Sequence, residues 1–171
     1  MRHRVLIGTL AGVLAILFGC NKPQPAPAQE GPATGNSGAP AQTKPINFLN
    51  KTFPVKKYAQ FEVEVPPHSV IPRIHGTLQS FVPQAGGEKL SDDSTDVQFL
   101  LMNADQFSDY SHGHGDGTAL YTVEATHDHE VEFVLPPTQD APAKYYVVFV
   151  NAPGGARTKS VTADFTLSFG Y

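Results

Sequence analysis

The sequence predicts an all-β protein: a single antiparallel β-sandwich of about seven or eight strands, preceded by an export signal and a disordered tether. Three observations carry this. From residue 60 onward, apolar and polar residues alternate with a period of two through most of the chain. Pro- and Gly-rich turns separate the alternating runs. Helical spacing is confined to one short stretch, Asn103 to Tyr110, where Asn103 can cap one or two turns that bury Phe107 and Tyr110.

The elements follow in order. Phe61, Val63 and Val65 alternate with Gln60, Glu62 and Glu64. Ile74, Gly76, Leu78 and Val82 alternate with Arg73, His75, Thr77 and Gln79. Val97, Phe99 and Leu101 follow the acidic turn Ser91-Asp92-Asp93-Ser94. Ala119, Tyr121, Val123 and Ala125 alternate with Thr118, Thr122, Glu124 and Thr126. Val131, Phe133 and Leu135 stop at Pro136-Pro137. Tyr145 to Val150 is apolar throughout, the pattern of a strand covered on both faces. Val161, Ala163, Phe165, Leu167 and Phe169 alternate with Ser160, Thr162, Asp164, Thr166 and Ser168. An outer-membrane barrel is disfavoured, since transmembrane strands need about 9–11 uninterrupted residues. Several of these runs are shorter, and Pro66-Pro67 and Pro72 break them.

The N-terminal segment reads differently. Arg2, His3 and Arg4 form a basic start, and Val5 to Phe18 is an uncharged apolar run. That run is shorter than the about 20 residues a spanning helix needs and fits a signal peptide. It ends Leu17-Phe18-Gly19-Cys20, which resembles the lipobox of bacterial lipoproteins. The resemblance implies that residues 1–19 are removed and that Cys20 is acylated with palmitate-like chains. The protein would then be anchored to a membrane by lipid. Asn21 at the next position implies the outer membrane where the cell has one. Residues 20–45 read as the lipidated Cys and a tether. Positions 21–45 hold six Pro, five Ala, three Gly and three Gln, with no Val, Ile, Leu, Met or aromatic residue. Such a segment has nothing to bury against its ordering entropy.

Residues 46–171 are the sandwich domain. The whole chain of 171 residues has a net charge of −4 and a single Cys, which excludes an intrachain disulfide framework. Mild acidity argues against nucleic acid as a partner. Within 46–171, eight bases face fifteen acids, and Glu88 to Asp140 holds twelve of those acids with one base, Lys89. That stretch is expected to attract a cationic partner or a metal ion.

Tyr145-Tyr146-Val147-Val148-Phe149-Val150-Asn151, followed after a loop by Lys159-Ser160-Val161-Thr162-Ala163-Asp164-Phe165-Thr166-Leu167, resembles the end of a bacterial extracytoplasmic β-sandwich. The families concerned are the pre-peptidase C-terminal domains and related GOLD-like or CUB-like jelly-rolls. The resemblance implies a jelly-roll-like sandwich and, mostly, a non-catalytic attachment to a secreted protein.

The chemistry candidates are histidines. Four of the seven lie in the acidic stretch. His112, His114 and Asp116 are Gly-spaced, so one loop could turn all three toward a cation. His127 and His129 point to one face of an extended chain. If 118–126 and 129–135 form a hairpin, the two clusters lie at opposite ends of a strand, about 25–30 Å apart. Imidazole suits zinc or copper. Asp92, Asp93 and Asp96, or Asp105 and Asp109, offer oxygens for calcium, without EF-hand spacing. Type-1 copper needs a Cys that the domain lacks, and there is no GxSxG elbow or Cys nucleophile for a hydrolase. The expected function is therefore a membrane-anchored, non-enzymatic binding or structural module. A metal-binding protein using His112, His114, Asp116, His127 and His129 is the alternative, and an extracytoplasmic hydrolase the second alternative.

Overall fold

Phe99, Phe149 and Phe165 are fully buried, and Phe99 and Phe165 stack with ring centroids 5.4 Å apart and planes 2° from parallel. They join two sheets. In the computed structural model, which describes residues 43–114, 118–151 and 157–171, the strands are β1 (Ile46–Val55), β2 (Tyr58–Val65), β3 (Val70–Pro83), β4 (Lys89–Leu90), β5 (Val97–Asn103), β6 (Tyr121–Thr126), β7 (Asp128–Val134), β8 (Ala143–Asn151) and β9 (Lys159–Gly170). One helix, α1 (Ala104–His112), lies between β5 and β6. The first sheet runs β1-β9-β3-β7, with β4 paired to the end of β3, and the second runs β2-β8-β5-β6. Every pairing is antiparallel. The chain changes sheet at most connections, and this order is that of a double Greek-key jelly roll.

Inward residues alternate as the sequence requires. Ile74 and Leu78 of β3, Val161, Ala163, Phe165 and Leu167 of β9, and Val97, Phe99 and Leu101 of β5 belong to one buried cluster. Gly76 continues the β3 series because the Phe165 ring and the Asp164 carbonyl occupy the space that a Cβ would need.

The uniformly apolar β8 also has its explanation. Val147 and Phe149 face the core, while Val148 joins Leu100 and Met102 in a second buried cluster on the other side of the sheet. α1 covers that side with Phe107 and Tyr110, which are half-buried at the margin of the cluster. Phe107 stacks on Tyr146 at 4.3 Å.

Two expectations are revised. Residues 46–55, unassigned by periodicity, form an edge strand. Residues 118–126 and 129–135 do not make a hairpin: β6 pairs with β5 and β7 with β3, and the chain turns from one sheet to the other at His127. Residues 1–42, which hold the signal, Cys20 and most of the tether, and Asp116 lie outside the described residues.

Candidate functional site

Helix α1 borders a recess on the outer face of the second sheet. Its start is fixed by reciprocal capping: Gln106 N–H donates to Asn103 Oδ1 at 2.8 Å, and Asn103 N–H donates to Gln106 Oε1 at 3.0 Å. Its end is fixed by Gly113 at φ 72°, in the left-handed region, with its N–H donating to Tyr110 O. Nine residues at about 1.5 Å each reach roughly 14 Å. The seven residues of β5 beneath them span about 23 Å. The helix therefore cannot cover the whole outer face of the second sheet. At its last turn a cleft of about 660 Å³ opens, lined among others by Lys57, Tyr58, Gln98, Tyr110, His112 and Thr122.

The cleft combines aromatic and aliphatic walls with amide, hydroxyl, imidazole and ammonium groups, and its volume is that of a small-molecule site. Tyr110 meets Tyr58 edge-on, with ring centroids 5.6 Å apart. Burial, and secondarily the Tyr58 hydroxyl nearby, push the Tyr110 phenol above its ordinary value, so it stays a neutral donor at physiological pH.

His112, singled out in the sequence, closes the helix at this cleft. Its Nδ1 lies 2.7 Å from the Ser108 carbonyl, which can only accept. Nδ1 therefore carries the proton, and in the neutral ring Nε2 keeps its lone pair. The His112 and His114 rings lie nearly parallel, 6.0 Å apart.

The other histidines separate at the corner. His127 Nδ1 is 3.1 Å from Asp96 Oδ1. The β5–β6 register explains this, since Val97 pairs with Thr126 and the residues flanking that pair meet beyond it. Asp93, Asp96 and His127 offer ligand atoms within 4.8 Å of one another, the one such trio among the described residues. His129 instead sits on β7 beside a shallow recess along Tyr121–Thr126. Sequence reasoning had Asp93 and Asp96 on one side and His127 on the other, without joining them. The β5–β6 pairing is the signal that does.

A cation already stands at that corner. Lys159 is only 3% exposed and donates from Nζ to the Asp96 carbonyl. Burial pulls its pKa down, partly opposed by the charge of Asp96. Asp92 is engaged otherwise: it caps the short 3₁₀ turn Asp93–Thr95 by accepting from Ser94 N–H, and hydrogen bonds from the Ser94 side chain and backbone lower its pKa. The acidic stretch is also diluted in space. Register and turns put Lys56, Lys57, Lys89 and Lys159 at the same end of the sandwich as Glu88, Asp92, Asp93 and Asp96.

No protein-family model matches the chain, and no curated protein matches it.

Proposed function

We propose that the protein is a lipid-anchored extracytoplasmic binding module that recognises a small polar ligand in the cleft beside α1. The cleft itself carries the reading. Two tyrosine rings form apolar walls, while Gln98, Thr122 and Lys57 supply hydrogen-bonding groups around them. Apolar walls with a few convergent polar groups are the usual composition of a ligand site. The lipobox-like Cys20 and the Pro/Ala tether support placement outside the cytoplasm on a membrane. The test is a thermal-shift screen of the full chain against neutral and anionic sugars, amino acids and nucleotides, with Tyr110→Ala and Gln98→Ala in parallel. A ligand that stabilises the wild type but neither variant supports the cleft. Ligands that stabilise all three proteins equally refute it.

A second reading is metal binding by zinc or copper. His112 favours it, because the Ser108 carbonyl orients the ring and leaves Nε2 as a ligand atom beside the His114 ring. Calorimetric titration with zinc and with copper, on wild type and on His112→Ala/His114→Ala, tests it. Binding unchanged in the double variant removes this reading.

A further inference from the structure

The large hydrophobic side chains that remain exposed among the described residues are Ile46, Val70, Ile71, Val134 and Tyr171, between 38% and 60% exposed. The register gathers all of them at one end of the first sheet. Ile46 pairs with Leu167, Val70 with Gly170, and Val134 with Arg73, which itself pairs with Ser168. Tyr171 follows directly and packs its ring against Phe169 at 5.5 Å. They share this end with the exposed ion pairs His68–Asp140 and Arg73–Glu132. Scattered exposed hydrophobics are ordinary, whereas several gathered at one end, rimmed by charges, mark a contact surface.

Ile71 is held outward against its own preference. Between Val70↔Gly170 and Arg73↔Ser168 β3 advances three residues and β9 two, so β3 bulges, and Ile71 sits at φ 50° with 54% of its surface exposed. The left-handed region is unfavourable for a β-branched residue and persists only where neighbours impose it. They do so on both sides. Before it, Ser69 N–H donates to Thr138 Oγ1 at 2.8 Å, and Thr138 N–H donates to the Ser69 carbonyl at 3.1 Å. After it, Leu135 N–H donates to the Pro72 carbonyl at 2.8 Å.

The chain enters the domain at this same end. Thr43 donates from both its N–H and its Oγ1 to the Phe169 carbonyl, each at 2.9 Å. Residues 1–42, with Cys20 among them, connect there.

We propose that this apolar end seats in the interfacial layer of a lipid bilayer. Ile71, Val70 and Val134 would enter the headgroup–acyl boundary, with Tyr171 at headgroup depth, where tyrosine is favoured. The choice of a bilayer rests on the reading of Cys20 as a lipid anchor. A few side chains give only weak membrane affinity, but an anchor on Cys20, separated from Thr43 by 22 residues, would hold them at high effective concentration near the surface. Docked this way, the sandwich turns the end bearing Lys57 and the α1 cleft away from the membrane, where a ligand can reach it.

The chain has no Trp, so one introduced Trp is a clean reporter. Full-length Ile71→Trp, Val134→Trp and, at the opposite end, Ala85→Trp would be purified from host membranes. Each would be reconstituted into phosphatidylethanolamine/phosphatidylglycerol vesicles with brominated or ordinary acyl chains. Val134→Trp stands in should Ile71→Trp fail to fold. The expected result is at least about twofold stronger bromine quenching at positions 71 and 134 than at 85. Equal quenching at both ends, or none at 71 and 134, overturns the proposal. So does a blue shift at position 71 that occurs without vesicles and tracks a monomer–dimer equilibrium, since the occupant is then a second copy. The mass of the N-terminal Cys20 peptide reads the anchor separately. An acylated Cys20 with no quenching in Ile71→Trp defeats the docking alone. An unmodified Cys20, with Ile71→Trp fluorescence quenched by added vesicles, defeats the anchor alone.

Discussion

Gly76 on β3 faces the Phe165 ring of β9, and that ring fills the volume a side chain at position 76 would take. Phe165 in turn stacks on Phe99 of the opposite sheet, so the contact propagates into the centre of the core. Gly76→Ala is expected to destabilise the fold by about 2 kcal/mol, the scale of overpacking in a dense core. Because Cγ and Cδ1 of Phe165 are the side-chain atoms in the way, adding Gly76→Ala to Phe165→Ala should cost less than adding it to the wild type, although the Asp164 carbonyl keeps part of the penalty. Urea midpoints of the four proteins check the coupling, and strictly additive effects would contradict it.

Tyr110 ties α1 to the sheet through Tyr58. Tyr110→Ala should cost about 1 kcal/mol, in the range of an aromatic pair. The loss should be local. Hydrogen exchange is expected to accelerate across residues 104–112 and remain slow in β8. Uniform acceleration across both would show that α1 is part of the core and not a cover over it.

Glu62 links pH to stability. Hydrogen bonds from Lys144 and then Tyr146 lower its carboxyl pKa from the ordinary 4.5. A group held below its unfolded value contributes stability above that value and loses it as pH falls through the folded one. The wild type should therefore lose slightly more stability between about pH 6 and pH 3 than Glu62→Gln does. The pair is exposed at the surface, so the difference is small and shrinks in high salt. Lys144 is shifted upward by the same bond, and its contribution is lost only at strongly alkaline pH. Denaturant midpoints across pH in low and high salt check both signs.

The Asp96–His127 pair and Lys159 predict how the acidic corner meets divalent metals. Lys159 already presents a cation to the Asp96 carbonyl, so a metal at Asp93, Asp96 and His127 must bind beside it. Lys159→Met is expected to raise zinc affinity at this corner, and His127→Ala to abolish the gain. Zinc titrations of Lys159→Met and of Lys159→Met/His127→Ala check this, and no increase in the single variant would contradict it.

Much of the sandwich was legible because one-sided burial imposes a period of two, and β3, β7 and β9 show it plainly. β8 announced its two covered faces by having no polar position between Tyr145 and Val150. α1 was visible through Asn103 and the spacing of Phe107 and Tyr110. β1 was not, for two physical reasons. A register shift between Asn47 and Leu49 breaks its alternation, and its edge position tolerates Pro54. Pro72 reads as a break in sequence, but β3 absorbs it in a bulge. The cleft could not be read at all, because β2 brings Lys57 and Tyr58 to α1 through pairings that span most of the chain. His112 was singled out for its Gly-spaced loop, whereas its place is the last turn of a helix.

The proposed membrane attachment through Cys20 underlies both the proposed function and the proposed docking of the end bearing Ile71. Growth of cells with labelled palmitate, followed by membrane fractionation of wild type and Cys20→Ser, tests it most directly. The wild type should carry label and pellet with membranes, and Cys20→Ser should carry none and shift to the soluble fraction. An unlabelled wild type, or a Cys20→Ser protein that pellets as before, would contradict the account.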